Sequence, residues 1–329
     1  MTLVTVFGGS GALGRQVVKL LAQKGHQVRV AVRDPQGALF LKPMGDVGQI
    51  TPIQANIRDQ ISVRSAVSGA DAVVNLVGIL HESGAQSFDA VQVQGAQFVA
   101  EASADAGAQS LVHISAIGAS ATSPSNYGRS KAAGEAAVRE AFPQASVLRP
   151  SVVFGPHDDF FNRFAAMAMF PIPLPVFGCG LPRLTAEGVK FYGDGGTRFQ
   201  PVYVGDVADA AIACLKNEES RGKTYELGGP HVYSFCEIMR LVLKETRRRR
   251  PLIPIPFGIA SVMGLFGELL PKPPLTRDQV KLLQSDNVVT GNYPTLAELG
   301  IETTAAEVVL PSCLEVYRRG GRYATVQAV

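Results

Sequence analysis

The chain has 329 residues, of which 46% are hydrophobic and 18% charged, so it can bury a sizeable core and is not a disordered protein. Its 31 lysines and arginines against 28 acidic residues leave a net charge of +3, too small to hold nucleic acid through the overall field, and no nucleic-acid partner is expected. The four cysteines form no CxxC pair, which argues against a disulfide framework or a zinc site and predicts a reducing compartment.

The first half alternates short β-branched runs with amphipathic stretches, a pattern that predicts a doubly wound α/β fold of the Rossmann type with a parallel sheet. The predicted strands are Leu3–Phe7, Gln27–Val32, Ile50–Gln54, Ala72–Val77, Leu111–Ser115 and Ser146–Phe154. The predicted helices are Ala12–Lys24, Ile61–Ser68, Phe88–Asp105 and Tyr127–Phe142.

Beyond Gly155, prolines and glycines crowd the chain, and we expect loops over the carboxyl end of the sheet. Regular structure is predicted to return with a helix over Val204–Lys216 and a strand over Thr224–Leu227 that rejoins the sheet. The predicted dinucleotide-binding domain is therefore 1–155 with 201–228, and a smaller, mainly helical cap domain covers 156–200 and 229–329.

The glycines that follow the first predicted strand have GxxGxxG spacing and open the first predicted helix. A tight turn, close approach of the backbone and a helix N-terminus together form a site for a pyrophosphate. The sequence therefore predicts dinucleotide contacts from Gly8, Ser10, Gly11, Ala12, Leu13 and Gly14.

The residues after the second predicted strand bear on which dinucleotide is bound. An acid about 20 residues after the glycines holds the ribose of NAD, and Asp34 lies at about that distance. Arg33 precedes it, however, and Arg15 follows Gly14; guanidinium groups suit a 2′-phosphate. We favour NADP(H) over NAD(H), with the alternative that Arg33 is a solvated strand end and Asp34 selects NAD.

Further cofactor contacts are predicted where the other strands end. Asn56 and Ile57 follow the third predicted strand, Val77 and Gly78 the fourth, and Ser115 and Pro150 lie near the ends of the fifth and sixth. Four histidines lack the spacing of metal ligands, and we expect no metal site at His81, His113, His157 or His231.

Tyr127 and Lys131 form a YxxxK pair at the start of a predicted helix, which places both side chains on one face. A lysine there can lower the pKa of the phenol and hold the nicotinamide ribose, so Tyr127 could act as a general acid–base. With the glycine loop, this pair identifies the chain as a member of the short-chain dehydrogenase/reductase superfamily. That superfamily implies a hydroxyl where this chain has Ile117, so we favour ribose binding over catalysis.

Several segments narrow the resemblance and together span nearly the whole chain. The chain resembles the SDR-like, nucleotide-binding accessory subunit of respiratory complex I (NADH:ubiquinone oxidoreductase), in a bacterial form. The segments are YGRSKAAGE from Tyr127, VREAFP from Val138, LRPS from Leu148, FGPHDDFFN from Phe154, QPVYV from Gln200, DVA from Asp206, LTRDQV from Leu275 and SDNVV from Ser285.

This resemblance implies a tightly held NADPH in a structural role, contacted by Gly8, Gly11, Gly14, Arg15, Arg33, Tyr127 and Lys131, with no turnover of its own. It also implies other complex I subunits of the peripheral arm, near the quinone site, as partners. The chain begins without a charged leader, which predicts a cytoplasmic address. Together with that address, the resemblance implies a peripheral location on the cytoplasmic side of the bacterial inner membrane.

A basic run, Arg247–Arg250, precedes an uncharged stretch from Pro251 to Gly267. The stretch is short for a membrane span and contains three prolines near its start. A helix over Gly258–Leu270 with flanking arginines could lie on an anionic membrane surface, or it could pack on the core with the arginines in solvent.

Two other functions remain open on the same fold. One is a soluble NADP-dependent reductase or sugar-nucleotide epimerase in which Tyr127 and Lys131 are catalytic. The other is a regulator that responds to the NADPH/NADP ratio, which requires readily exchangeable nucleotide.

Overall fold

The computed structural model of the chain describes residues 2–179, 183–185, 188–190, 192–270 and 273–321, so the end of the predicted cap, 322–329, lies outside the described residues. Two compact units are present. The first unit comprises Met1–Pro150, Val204–Leu227 and Thr290–Glu302, and the second comprises Ser151–Tyr203, Gly228–Val289 and Thr303–Val329.

The strands are β1 Leu3–Phe7, β2 Gln27–Val32, β3 Ile50–Gln54, β4 Ala72–Asn75, β5 Ser110–Ile114, β6 Ser146–Pro150, β7 Val153–Phe154, β8 Leu174–Phe177, β9 Arg183–Thr185, β10 Gly188–Lys190, β11 Arg198–Phe199, β12 Val202–Tyr203, β13 Thr224–Leu227, β14 Tyr233–Ser234 and β15 Leu252–Ile255. The helices are α1 Ala12–Gln23, α2 Gln60–Val67, α3 Gly95–Asp105, α4 Asn126–Ala141, α5 Phe161–Met169, α6 Val204–Lys216, α7 Phe235–Glu245, α8 Phe257–Gly267, α9 Arg277–Leu282 and α10 Ala306–Cys313.

The first unit is built on a seven-stranded parallel sheet in the order β13-β6-β5-β4-β1-β2-β3. The strand order reverses between β1 and β4, as the doubly wound prediction requires, and the predicted fold class is confirmed. β13 pairs in parallel with β6, so the predicted return of Thr224–Leu227 to the sheet is also confirmed.

Helices cover the sheet because each carries one apolar stripe. α1 buries Val17, Val18 and Leu21 at helical spacing. It packs beside α6, whereas α3 packs against both α2 and α4. α4 begins where the Ser125 hydroxyl accepts a hydrogen bond from the Gly128 amide at 3.0 Å, an N-cap that places Tyr127 in its first turn.

Two predicted elements differ from the structure in kind. The helix predicted over Phe88–Asp105 begins with a π-helical segment, Asp89–Gln94, and is α-helical from Gly95. The strand predicted over Ser146–Phe154 is interrupted after Pro150, because the Ser151 hydroxyl and the Val152 amide both donate to Asn287 instead of continuing a ladder.

The second unit has an aromatic core. Phe235 packs edge-on against Phe164, Phe177 and Phe199, with ring centroids 5.4 to 5.7 Å apart. Short strand pairs surround this core: β7 with β12 and β8 with β15 are parallel, and β11 with β14 is antiparallel.

The expectation of loops after Gly155 was wrong at α5. Asp158 accepts hydrogen bonds from the Phe160 and Phe161 amides at 2.9 and 2.6 Å, which satisfies the first donors of the helix. α5 then buries Phe161, Phe164, Ala165 and Ala168, a helical spacing that the surrounding prolines and glycines concealed.

Residues 290–302 group with the first unit, although they fall within the predicted cap. The Thr290 amide and hydroxyl donate to the Glu226 carboxylate on β13 at 2.6 and 2.8 Å, and the Glu226 amide donates to the Pro294 carbonyl. These bonds tie the segment to the edge strand of the sheet.

Candidate functional site

The glycine loop turns sharply between β1 and α1. Gly8 has φ +78°, which favours glycine, and the Gly11 amide donates to its carbonyl at 3.1 Å. A Cβ on Gly14 would lie 2.3 Å from the Gly8 carbonyl oxygen, so only glycine allows the helix to approach the loop this closely. Gly11 is the N-cap residue of α1 and has no side chain that could bind the first amides of the helix. The first turn of α1 contains no acidic residue. The first amides of α1, with Ser10, Ala12 and Leu13 around them, are suited to an anion.

The two arginines predicted near the ribose have different surroundings. The Arg15 guanidinium donates to the Ser10 carbonyl at 3.1 Å and lies 4.3 Å above the Phe40 ring. Arg33 is exposed at the end of β2, and its Nη1 donates to the Gln86 side chain at 2.7 Å. The Asp34 carboxylate accepts a hydrogen bond from the Gly37 amide and thereby caps the turn that follows it.

The two cofactor contacts predicted after β3 are one partly exposed residue and one core residue. The Asn56 side-chain oxygen accepts from the Arg58 amide at 3.2 Å, and Asn56 is partly exposed after β3. Ile57 is buried in the core beside Gly95, where an added Cβ would lie 3.0 Å from its side chain.

Val77 and Gly78 link the glycine loop to the YxxxK pair. The Val77 side chain lies 3.3 Å from the Cβ position of Gly8, and the Cβ position of Gly78 lies 3.1 Å from the Lys131 ammonium. The chain after β4 therefore passes directly between these two predicted contact groups.

Lys131 and Tyr127 lie on one face of α4, as predicted. The Lys131 ammonium donates to the Ile114 carbonyl at 3.2 Å and lies 5.9 Å from the Tyr127 ring centroid. Burial lowers the pKa of Lys131 to about 8, although Glu135 opposes the shift. Burial raises the pKa of Tyr127 to about 12, the opposite direction to that expected of an activated phenol.

Ser115 and Pro150 meet at the ends of β5 and β6, as parallel neighbours should. The Ser115 amide donates to the Leu148 carbonyl at 2.7 Å, and the Ile117 amide donates to the Pro150 carbonyl at 3.0 Å. The Ile117 side chain is buried, so the position where a hydroxyl is expected is apolar.

Three buried polar atoms at this edge have no hydrogen-bond partner among the described residues: Gln92 Oε1, His113 Nε2 and Ser115 Oγ. Orphaned buried groups are rare and mark places where a ligand or water completes the hydrogen bonding. These three atoms could hydrogen-bond a dinucleotide that lies along the carboxyl edge of the sheet, with its pyrophosphate at the glycine loop.

Gln92 and His113 are functional candidates that were not predicted from the sequence. Gln92 donates to Ser130 at 3.2 Å from within the π-helical segment, a deviation that is frequent at functional sites. His113 is buried, and burial with the charge of Lys131 lowers its pKa to about 3. A buried polar residue within an apolar strand is the signal that could have identified His113.

The apolar stretch after the basic run forms α8, close to the predicted bounds. Its outward side chains include Ile259, Val262 and Phe266, which are 55% to 65% exposed. Among the residues that the structure describes, none of the helices combines the length and the hydropathy that a membrane span needs. The same residues hold no cluster of three or more potential metal ligands.

Comparison with known proteins extends over almost the whole chain. Residues 4–228 match the NAD dependent epimerase/dehydratase family. The mouse NADH dehydrogenase (ubiquinone) 1 alpha subcomplex subunit 9, mitochondrial, is 35% identical over 98% of this chain and 81% of its own length. The Neurospora crassa NADH-ubiquinone oxidoreductase 40 kDa subunit, mitochondrial, is 30% identical over 97% of this chain and 80% of its own. The crystal structure of the Thermus thermophilus UDP-glucose 4-epimerase complex with NAD covers 99% of this chain and 100% of its own, with a TM-score of 0.68 and 20% identity.

Proposed function

Because this chain belongs to the NAD dependent epimerase/dehydratase family, and to the family of the mitochondrial NADH dehydrogenase subunits that it matches, we propose that it is an accessory subunit of respiratory complex I. In this role it binds a dinucleotide structurally and supports assembly and stability of the proton-pumping NADH:quinone oxidoreductase. Electron transfer belongs to other subunits.

The observation that carries the proposal is the extent of the match. Identity of 30% to 35% extends over 97% or more of this chain and about four fifths of each relative, so both units are shared. The site geometry agrees with a structural nucleotide, because Ile117 is buried where a hydroxyl would polarise a substrate and burial raises the pKa of the Tyr127 phenol.

The proposed ligand is NADP(H). The glycine loop and the first turn of α1 would hold the pyrophosphate, and Lys131 with Ser115 would hold the nicotinamide ribose. The Arg33 guanidinium has other donors besides Nη1, which binds the Gln86 side chain. The Asp34 carboxylate, by contrast, accepts a hydrogen bond from the Gly37 amide in the turn that follows it. This arrangement favours a 2′-phosphate over a ribose diol. The nicotinamide group, when bound, supplies hydride chemistry that this chain is not proposed to use.

The proposed location is the cytoplasmic side of the membrane, on the peripheral arm near the quinone site. Arg248 and Arg250 donate to the Tyr317 and Phe170 carbonyls, whereas Arg247 and Arg249 are exposed. Exposed cations in the same unit as the apolar surface of α8 suit contact with anionic headgroups.

A soluble reductase is the second candidate, favoured by one observation. Lys131 and Tyr127 lie on one face of α4, which is the geometry that an acid–base pair requires. If this function holds, purified protein oxidises NADPH with a carbonyl substrate, and Tyr127→Phe abolishes the oxidation.

Detergent extraction of native membranes with this chain tagged tests the main proposal. After size separation, each fraction is assayed for NADH:quinone activity and for bound nucleotide. We expect the chain to migrate with that activity and to retain NADP(H). A small species separate from the activity contradicts the subunit function.

A further inference from the structure

The loop after β4 has a defined structure of its own. Ser83 and Gln86 exchange two backbone hydrogen bonds, of 3.1 and 3.0 Å, around Gly84, whose φ is +54°. The Glu82 carboxylate accepts from the Phe88 amide at 2.7 Å and closes the base of the loop. Residues 82–88 therefore form a small closed hairpin.

Two arginines from other strand ends hold this hairpin. Arg33, after β2, donates to the Gln86 side chain at 2.7 Å, and Arg58, after β3, donates to the Ala85 carbonyl at 2.9 Å. Hydrogen bonds from a charged donor are stronger than neutral ones. Because the two guanidiniums bind consecutive residues, they converge on one point of the loop.

The sheet order determines what the hairpin crosses. β4 lies on one side of β1, and β2 and β3 lie on the other. A chain that leaves β4 and reaches Arg33 and Arg58 must pass the carboxyl end of β1, where the glycine loop begins. At the other end of the hairpin, buried Phe88 packs edge-on against Tyr127 at 6.0 Å. The hairpin thus extends from the arginines to the YxxxK pair.

We propose that residues 82–88 form a latch that closes over the bound dinucleotide, and that Arg58 is a positioning residue that keeps this latch closed. Arg58 acts through the Ala85 carbonyl, and Arg33 is shared between the latch and the adenosine end of the nucleotide. Opening of the latch then limits nucleotide release. This inference rests on the proposed dinucleotide binding.

Release kinetics of the full chain test the latch. The protein is loaded with NADPH and chased with excess NADP⁺, and loss of bound NADPH fluorescence gives the dissociation rate. Arg58→Met removes the donors and keeps the length of the side chain, and should raise the dissociation rate about tenfold. The matched control is Arg64→Met, which removes an exposed arginine of α2 paired with Asp105 and should leave the rate unchanged.

Hydrogen exchange gives a readout independent of affinity. NADPH should slow exchange of the Gln86 amide in the wild type, and Arg58→Met should remove that protection while thermal unfolding shows the variant folded. If Arg58→Met releases NADPH no faster than Arg64→Met, the latch is wrong although nucleotide binding holds. If the wild type retains no dinucleotide, the proposed cofactor is wrong and the latch with it.

Discussion

His113 shows what burial does to a single polar side chain at the carboxyl edge of the sheet. The Asn75 side-chain amide donates to its Nδ1 at 3.3 Å, which favours the neutral ring, because a proton on Nδ1 would face that donor. Burial and the nearby Lys131 charge together lower its pKa to about 3. As the pH falls below 6.5, His113 is therefore protonated in the unfolded chain before it is protonated in the folded chain.

A pH dependence of stability follows from His113. Its contribution is fully present above pH 6.5 and is lost as the pH falls toward the folded pKa. Between pH 6.5 and 5, wild-type unfolding free energy should fall faster than that of His113→Asn, by up to about 1.4 kcal/mol per pH unit. Urea titrations at each pH measure this, with exposed His231→Asn as the control. Parallel curves for wild type and His113→Asn would contradict the assignment.

The buried ion pair between Glu135 and Arg149 joins α4 to β6. Arg149 donates to both carboxylate oxygens at 2.8 and 2.6 Å, and its guanidinium lies 4.8 Å from the Tyr293 ring centroid. Glu135→Ala leaves the arginine, whose side chain is only 14% exposed, without its partner and should cost about 3 kcal/mol of unfolding free energy.

The exposed pair of Arg64 and Asp105 is the control for this effect. Its side chains are 57% and 66% exposed and 3.6 Å apart, so Asp105→Ala should cost less than about 1 kcal/mol. Chemical denaturation of Glu135→Ala and Asp105→Ala gives the loss of unfolding free energy for each variant. A larger loss for Glu135→Ala shows that burial, and not charge pairing alone, sets the cost. Equal losses would mean that Arg149 finds water or another partner once Glu135 is removed.

At the scale of elements, the sequence predicts the parallel sheet well because its strands are buried on both faces and rich in β-branched residues. The bounds of β1, β2 and β3 agree with the prediction, as do those of α6 and β13. The GxxGxxG spacing also predicts the turn at Gly8 and the close packing at Gly14, since both depend on local backbone geometry.

Features that depend on distant residues could not be predicted. The π-helical segment containing Gln92 lies where Gly134 of α4 approaches, since a Cβ there would be 2.1 Å from the Gln92 carbonyl. Apolar spacing alone does not distinguish a π segment from an α-helix. The contacts of Arg15 with Phe40 and of Arg33 with Gln86 likewise form only in the folded chain.

The apolar surface of α8 allows a test of membrane contact at this scale. Phe266 and Leu269, which follows the helix, are 65% and 80% exposed. Replacing both with serine should weaken binding to anionic vesicles by at least about tenfold, because each side chain would lose its burial in the interface. Unfolding free energy should change by less than about 0.5 kcal/mol.

Two apolar residues of the first unit that are at least as exposed supply the control. Val47 and Ile61 are exposed and lie in the sheet unit, so Val47→Ser with Ile61→Ser should leave vesicle binding unchanged. Vesicle cosedimentation of both double variants measures the difference. Equal binding by the two would mean that α8 does not face lipid.

For the whole molecule, the question is whether the nucleotide supports assembly or chemistry. Gly14→Ala places a Cβ 2.3 Å from the Gly8 carbonyl oxygen and should expel the nucleotide, whereas Gly258→Ala on α8 meets no atom within 4 Å. In cells, Gly14→Ala should lower the amount of assembled complex at least about threefold, and Gly258→Ala should not.

Turnover for each assembled complex then separates a structural nucleotide from a catalytic one. In a structural role, the complexes that do assemble with Gly14→Ala oxidise NADH at the wild-type rate. Tyr127→Phe, which keeps the ring beside Phe88 but removes the hydroxyl, should leave the rate for each assembled complex unchanged. The assay is quinone-coupled NADH oxidation divided by the amount of complex on a native gel. If Tyr127→Phe assembled in the wild-type amount but oxidised NADH more slowly, the phenol would instead be assigned to catalysis. This substitution removes only the hydroxyl, which is the group that carries the proton.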